Sequence, residues 1–246
     1  MDIGQLFIFT CGMCPPAADR ISKHIMDVIT RDMESTLHDN SNQNTCSFDQ
    51  CYVAQCTILE GLMESNANNQ PFIRLTISHI ICEPAQINAD TPLKTLLDMN
   101  IANIVSLNAS IVCTESCFQD IISQSRVQEI IYQSREKLLY LSLKDNGKIS
   151  LNGLQLKYLR CVGATDLTNL DCSNMVECAL SATPLTEKCV FERMKGTGGN
   201  IRLFHIDECT SISLLSMALP NLRSLHTFEL SNTVLLNTQL HEVMPQ

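Results

Sequence analysis

The stretch LLYLSLKDN, Leu138 to Asn146, constrains this chain more than any other. It follows the frame L-x-x-L-x-L-x-x-N, with Leu138, Leu141 and Leu143 in the first three slots and Asn146 in the fourth. Successive side chains of a pleated strand face opposite ways, so Leu141 and Leu143 are expected in a core while Tyr140, Ser142 and Lys144 point away from it. The frame recurs in IRLFHIDEC, as Ile201, Phe204, Ile206 and Cys209, and in LHTFELSNT, as Leu225, Phe228 and Leu230, where Thr233 misses the fourth slot. Looser copies are LKYLRCVGA (Leu156, Leu159, Cys161, then Ala164), MVECALSAT (Met175, Cys178, Leu180, then Thr183) and the early IVSLNASIV (Ile104, Leu107, Ala109).

From Leu138 the copies start 18, 19, 26 and 24 residues apart, at 156, 175, 201 and 225. Leucine-rich repeats have this frame and a period of roughly 20 to 29 residues. One strand-plus-helix unit cannot bury its own apolar side, so neighbours must cover one another in a stack. The expected fold class is therefore α/β, an irregular leucine-rich-repeat solenoid with parallel strands on its concave side, preceded by a small helical subdomain. The gap of 34 from Ile104 to Leu138 is too long for one regular unit, and VQEIIYQSR within it suggests a degenerate copy. Helical patterns at Cys117 to Ser134 and Ser211 to Ala218 are expected on the convex side.

Stacking lines up the outward strand positions as one concave surface. Those positions are Tyr140, Ser142 and Lys144; Tyr158, Arg160 and Val162; Leu203, His205 and Asp207; and Thr227, Glu229 and Ser231. An open, mixed, polar surface suits a protein partner or macromolecular ligand better than a buried small substrate.

The lead-in differs from the repeats. Ala18, Ile21, Ile25, Val28 and Ile29 form an amphipathic stripe after Pro15 and Pro16, with most charges off it. Apolar spacing resumes through Phe48, Cys51, Tyr52, Leu59, Leu62 and Met63, so residues 1–70 are expected to make a helical hairpin. FIRLTISHIIC, Phe72 to Cys82, alternates as a strand does, and Pro84 and Pro92 bracket an irregular connector. The expected division is 1–70 helical lead-in, 71–100 strand and connector, and 101–246 repeats.

No run approaches the roughly 20 apolar residues needed to span a bilayer. MDIGQLFIFT has Asp2 and no basic residue before its apolar run, unlike a secretory signal, so a cytoplasmic location is expected. Net charge is −9, which disfavours nucleic acid as a partner. The 13 cysteines are then expected as reduced thiols, most serving as small core residues, Cys56, Cys161, Cys178 and Cys209 among them.

The order of these parts resembles the C-terminal half of NACHT and leucine-rich-repeat receptors, the NLR class of cytosolic innate immune sensors. The resemblance rests on FIFTCGMCPPAADRISKHI, FDQCYVAQCTILEGLMES and the irregular repeats from Leu138. It implies a sensing or autoinhibitory role for the repeats. The ATP-dependent switching of that class needs a G-x-x-x-x-G-K-[ST] loop, which is absent here; KGTGGN, Lys195 to Asn200, reads as a turn. A free-standing repeat adaptor is the runner-up.

Cys11-Gly-Met-Cys14 after an apolar run is the one motif pointing to another class, a thioredoxin-like thiol oxidoreductase, provided Cys11 sits at a helix N-terminus. Zinc on Cys11 and Cys14 with His24 or His38, or on Cys46, Cys51 and Cys56, lacks a second C-x-x-C half-site. Catalytic signatures such as G-x-S-x-G and H-E-x-x-H are missing. The chain is therefore expected to be non-enzymatic, with no catalytic residues, cofactor or metal.

Overall fold

The computed structural model describes residues 2–36, 48–70, 73–82, 90–111, 123–145, 149–163, 170–181, 194, 198–208 and 212–231. The chain divides into two compact units, Met1–Asn108 and Ala109–Gln246. Its strands form an open sheet in the order β1-β2-β3-β4-β5-β6-β7.

The first unit opens with three helices, α1 (Ile3–Met13), α2 (Pro15–Thr36) and α3 (Phe48–Ala67). The expected hairpin is thus a three-helix group, because LFIFTCGM is itself helical. Phe7 and Cys11 of α1 face α3 at Gly61, where a Cβ would lie 2.7 Å from Cys11 Sγ and 2.9 Å from Phe7 Cε1. Helix α1 carries no charged residue, and Ile3, Leu6, Phe9 and Met13 are exposed on it. The stripe of α2 is rotated from the expected one. Ala18, Ser22, Met26, Ile29 and Met33 are buried, whereas Ile21, Ile25 and Val28 are only partly covered.

The expected strand over Phe72 to Cys82 is shorter. Strand β1 spans His79–Cys82, and 73–78 is extended without being a strand. Ile73, Leu75 and Ile77 are buried there, but helix side chains serve the backbone in place of a neighbouring strand. Ser22 Oγ accepts from Thr76 N–H at 2.9 Å. Asn100 Oδ1 accepts from Ile77 N–H at 3.3 Å, and its Nδ2 donates to the carbonyls of Leu75 (2.9 Å) and Leu96 (2.8 Å). Asn100 ends helix α4 (Asp90–Asn100), and most of the irregular connector expected between Pro84 and Pro92 lies outside the described residues. Pro92 stands in the first turn of α4, where a missing N–H costs nothing. Gln55 of α3 holds both polar groups of Ile81 in β1, donating to its carbonyl at 3.0 Å and accepting from its N–H at 2.8 Å.

A short turn at Ile101–Asn103 leads to β2 (Ser106–Ile111), where Ile104, Leu107 and Ala109 of the early copy are all 0% exposed. One copy of the frame escaped the sequence pattern. Ile77, Ile80 and Cys82 occupy its first three slots, each 0% exposed.

In the second unit, α5 (Gln124–Ser134) precedes β3 (Tyr140–Asp145). Residues 127 to 135, where a degenerate copy was expected, are helix and the turn after it, with no strand. Next come β4 (Tyr158–Val162), β5 (Glu177–Ser181), β6 (Leu203–Asp207), helix α6 (Ile212–Ala218) and β7 (Thr227–Ser231).

Strands β3 to β7 pair in parallel, and the five copies stand in one register. Leu141, Leu159, Cys178, Phe204 and Phe228 form one row, and Leu143, Cys161, Leu180, Ile206 and Leu230 the next. From β3 to β6 every member of both rows is at most 1% exposed. At roughly 1.5–3 kcal/mol for each large apolar side chain, these two rows supply much of the unit's stabilisation. Leu138, Leu156, Met175 and Ile201, in the first slot, are equally buried.

The step into each strand is also repeated. The Leu139 carbonyl accepts from the N–H groups of both Lys157 (2.8 Å) and Tyr158 (3.1 Å). Lys157, Val176 and Arg202 do the same for the residues entering β5, β6 and β7. In the first unit Ser78 accepts likewise from Val105 (2.7 Å) and Ser106 (3.1 Å), which puts the copy starting at Ile77 in the same frame. The fourth slots, Asn146, Ala164, Thr183, Cys209 and Thr233, lie outside the described residues.

Two substitutions test this packing. Asn100→Ala strands buried groups of Leu75 and Ile77 and should lower stability by roughly 2–4 kcal/mol in urea denaturation. A loss under about 0.5 kcal/mol would mean water replaces the amide. Gly61→Ala should destabilise by about 1–3 kcal/mol despite the better helix propensity of alanine. A more stable variant would contradict the close approach of α1 to α3.

Candidate functional site

Because the inward rows are sealed from β3 to β6, a site on those strands must use the other face. Register places three outward rows there: Tyr140, Tyr158, Glu177, Leu203 and Thr227; Ser142, Arg160, Ala179, His205 and Glu229; and Lys144, Val162, Ser181, Asp207 and Ser231. The structure thus brings every expected concave-face residue onto one sheet face.

Depth separates them. Lys144, Arg160 and Glu229 are exposed, and Val162, Leu203, His205, Asp207, Thr227 and Ser231 are half-buried. Tyr140, Ser142 and Tyr158 are 0%, 8% and 4% exposed, which corrects their expected role as surface contacts. Strand alternation sets which way a side chain points but not how much is stacked over it, and the bulky tyrosines lie down against their neighbours. The available surface is therefore Lys144, Arg160 and the β6–β7 residues, together with Ala179 and Ser181 of β5.

Strand β5 adds what the sequence treatment omitted. Glu177, Ala179 and Ser181 face outward from the MVECALSAT copy, whose frame was already visible. Glu177 is 8% exposed and stands in register with Tyr158 on one side and Leu203 on the other. Burial pushes its carboxyl up to about 7; the nearby Arg160 charge opposes that shift and Glu229 adds to it. On β6 and β7, His205 Nδ1 lies 3.0 Å from Glu229 Oε2, and Ser231 Oγ is 3.5 Å from His205 Nε2. That pair is solvated enough to contribute little to stability. It fixes the ring's orientation on the face.

The face is also divided by charge. Lys144 and Arg160 stand on β3 and β4, while Glu177, Asp207 and Glu229 stand on β5 to β7. A partner of matching polarity is steered to such a surface.

The thiol motif has a different setting from the one redox chemistry requires. Cys11 lies in the last turn of α1, 0% exposed, and Cys14 is the exposed residue that ends the helix. Burial pushes the Cys11 thiol up to about 11, and the Glu64 carboxylate adds to the rise against a backbone hydrogen bond. A helix C-terminus disfavours a thiolate, the reverse of the N-terminal position a nucleophile uses. Six of the eight described cysteines are buried, including Cys51 and Cys82, whose thiols burial raises to about 12. Cys56 is half-buried, and Cys46, Cys209 and His38 lie outside the described residues.

His24 is exposed on α2, and no group of three His, Cys, Asp or Glu side chains among the described residues is arranged to hold a metal ion. His79 is a core residue, its Nε2 2.8 Å from Thr30 Oγ1, and burial lowers its pKa to about 4. Among the described residues no helix is long and apolar enough to cross a membrane.

The class these features define is an α/β chain in which parallel strands are stacked on one repeated frame and present an open polar face. Compared with known proteins, the chain matches no family model, no curated protein and no solved structure.

In the native protein, iodoacetamide near neutral pH should modify Cys14 readily and Cys11 about two orders of magnitude more slowly than free cysteine, followed by peptide mass spectrometry. Rapid modification of native Cys11 would mean that its thiol is not packed beneath α3.

Proposed function

We propose that the chain is a non-catalytic protein-interaction module, an irregular leucine-rich-repeat array whose outward sheet face binds a protein partner or ligand. The observation that carries this is the register of β3 to β7. Five copies of one frame place the leucine-frame side chains in two inward rows and leave Lys144, Arg160, Glu177, His205, Asp207 and Glu229 on the other face, together with Tyr140, Tyr158, Val162 and Leu203. A face with charges sorted along it and exposed at Lys144, Arg160 and Glu229 is suited to contact with another macromolecule.

Within this reading the array is the ligand-sensing or autoinhibitory region of an NLR-like cytosolic receptor, or a fragment of one. Its support is the order of parts, a helical lead-in followed by irregular repeats, and the repeated hydrogen-bonded step at Ser78, Leu139, Lys157, Val176 and Arg202. The thiol oxidoreductase alternative is weakened by Cys11, whose buried, raised thiol is poorly placed for attack on a disulfide.

Affinity capture with the full chain tests the face. The double variant Arg160→Glu with Glu229→Arg inverts its charge polarity at exposed positions, while Arg31→Glu changes an exposed charge on α2. Partners should be recovered at least about tenfold less with the double variant and normally with the α2 control. Equal recovery by all three proteins would rule out this face as the binding surface.

A further inference from the structure

We propose that Glu177 is the anchor for a cationic side chain, lysine or arginine, that a protein partner inserts into the open face of β3–β7. This rests on the face being the binding surface and names the chemistry at its centre. The first observation is Glu177 itself. More than nine-tenths of it is buried, yet among the described residues neither its carboxylate oxygens make a hydrogen bond nor does any cation lie within ion-pair distance. Its oxygens are not among the sealed polar atoms left without a partner, so the carboxylate is reached from the open side of the face although most of the residue is covered. The equivalent positions on β6 and β7 are Leu203 and Thr227, so the sheet accepts apolar or neutral side chains in this row. The array does not need an acid there for packing.

The second observation is the shape around it. Two residues along β5, on the same face, stands Ala179, the smallest side chain of the outward rows. Its register neighbours are Arg160 and His205, both much longer. Ala179 is thus a short side chain between two longer ones on the outward face, with Glu177 two residues before it on the strand.

The third is charge. Glu229 on β7 lies in the row of Ala179 and Asp207 on β6 in the row of Ser181, and Arg160 on β4 is the described cation in register with Ala179. Arg160 is exposed, which leaves it free to swing towards solvent or to an acidic group of the same partner. The partner segment that fits is thus a basic residue aimed at Glu177, with an acidic residue reaching the Lys144–Arg160 side. The register neighbours of Glu177 are Tyr158 and Leu203, and the charges that act on it are those of Arg160 and Glu229. Of these only Arg160 favours its ionised form through a fixed positive charge. An inserted cation therefore adds a second positive charge beside Glu177 to that of Arg160.

Selection of a random peptide library on the immobilised full chain at about pH 7.5, followed by affinity measurement of the synthesised peptides, tests the assignment. Selected peptides should share a Lys or Arg, and Glu177→Gln should weaken them at least about tenfold. Replacing that residue by norleucine should weaken binding to wild type equally and add nothing in Glu177→Gln, as a double-mutant cycle requires.

The variant is expected to fold. Glu177 binds its proton more tightly when folded, up to about 7 against an ordinary 4.5. Its stabilising contribution is full below 4.5 and lost as pH rises to about 7, so the neutral isostere should melt at or above wild type at pH 7.5. Peptides weakened by the Arg160→Glu, Glu229→Arg inversion but indifferent to Glu177→Gln, or lacking a basic residue, would overturn the anchor and leave the face intact. Peptides indifferent to both variants, or a library that yields none, would count against the face and the anchor together.

Discussion

The fold depends on each strand's two inward side chains being roofed by the same two positions of the next strand. Leu141 and Leu143 are covered because Leu159 and Cys161 stand opposite them, and those in turn because of Cys178 and Leu180. A slip of one residue anywhere would turn Arg160 or Glu177 inward and an aliphatic outward, so register is held by burial on one face alone. The paired acceptance of two N–H groups by one carbonyl at the entry of each strand fixes the same register through the backbone. Intervals of 18 to 26 residues between starts are tolerated because only the frame has to match.

Where the ladder does not supply a partner, helices lend side-chain amides. Gln55 satisfies Ile81 from both ends of one amide, and Gln128 of α5 treats Ser150 the same way at 3.1 and 2.8 Å. Asn100 serves two residues of 73–78 and its own helix at once. A buried peptide group left alone costs about as much as a lost hydrogen bond, so these few amides decide where extended backbone can lie outside a strand. Substitution by hydrophobic residues of similar size would preserve the packing and lose this function.

Much of the ladder could be read from the chain because its frame is a local pattern. The five starts at 138, 156, 175, 201 and 225 are the five that stand in register. The copy at Ile77 was hidden because Ile73, Leu75 and Ile77 also alternate, and a longer strand is the simpler account of that run. Nothing local distinguishes a ladder partner from Asn100, which lies 23 residues away from Ile77. The apolar Leu6–Phe9 run lacks charges with which to show a helical period, and only its contact with Gly61 reveals which side is covered. Tyr140 and Tyr158 point as alternation requires, but burial depth depends on neighbouring rows that no single copy contains.

The two faces of the ladder are under different constraints. An inward residue has to fit two neighbours in the stack, so Phe204 and Phe228, with ring centroids 6.1 Å apart, are coupled in size and position. An outward residue answers to its neighbours only through charge and bulk, which is why Arg160, Ala179, His205 and Glu229 share one row without resembling each other. Chemical variety is then confined to the outward rows by the same stacking that keeps the inward ones uniform. Glu177 shows the consequence most plainly. Its strand would pair equally well through Leu or Thr, as β6 and β7 do, so the carboxyl owes its place to the outer face and not to the core.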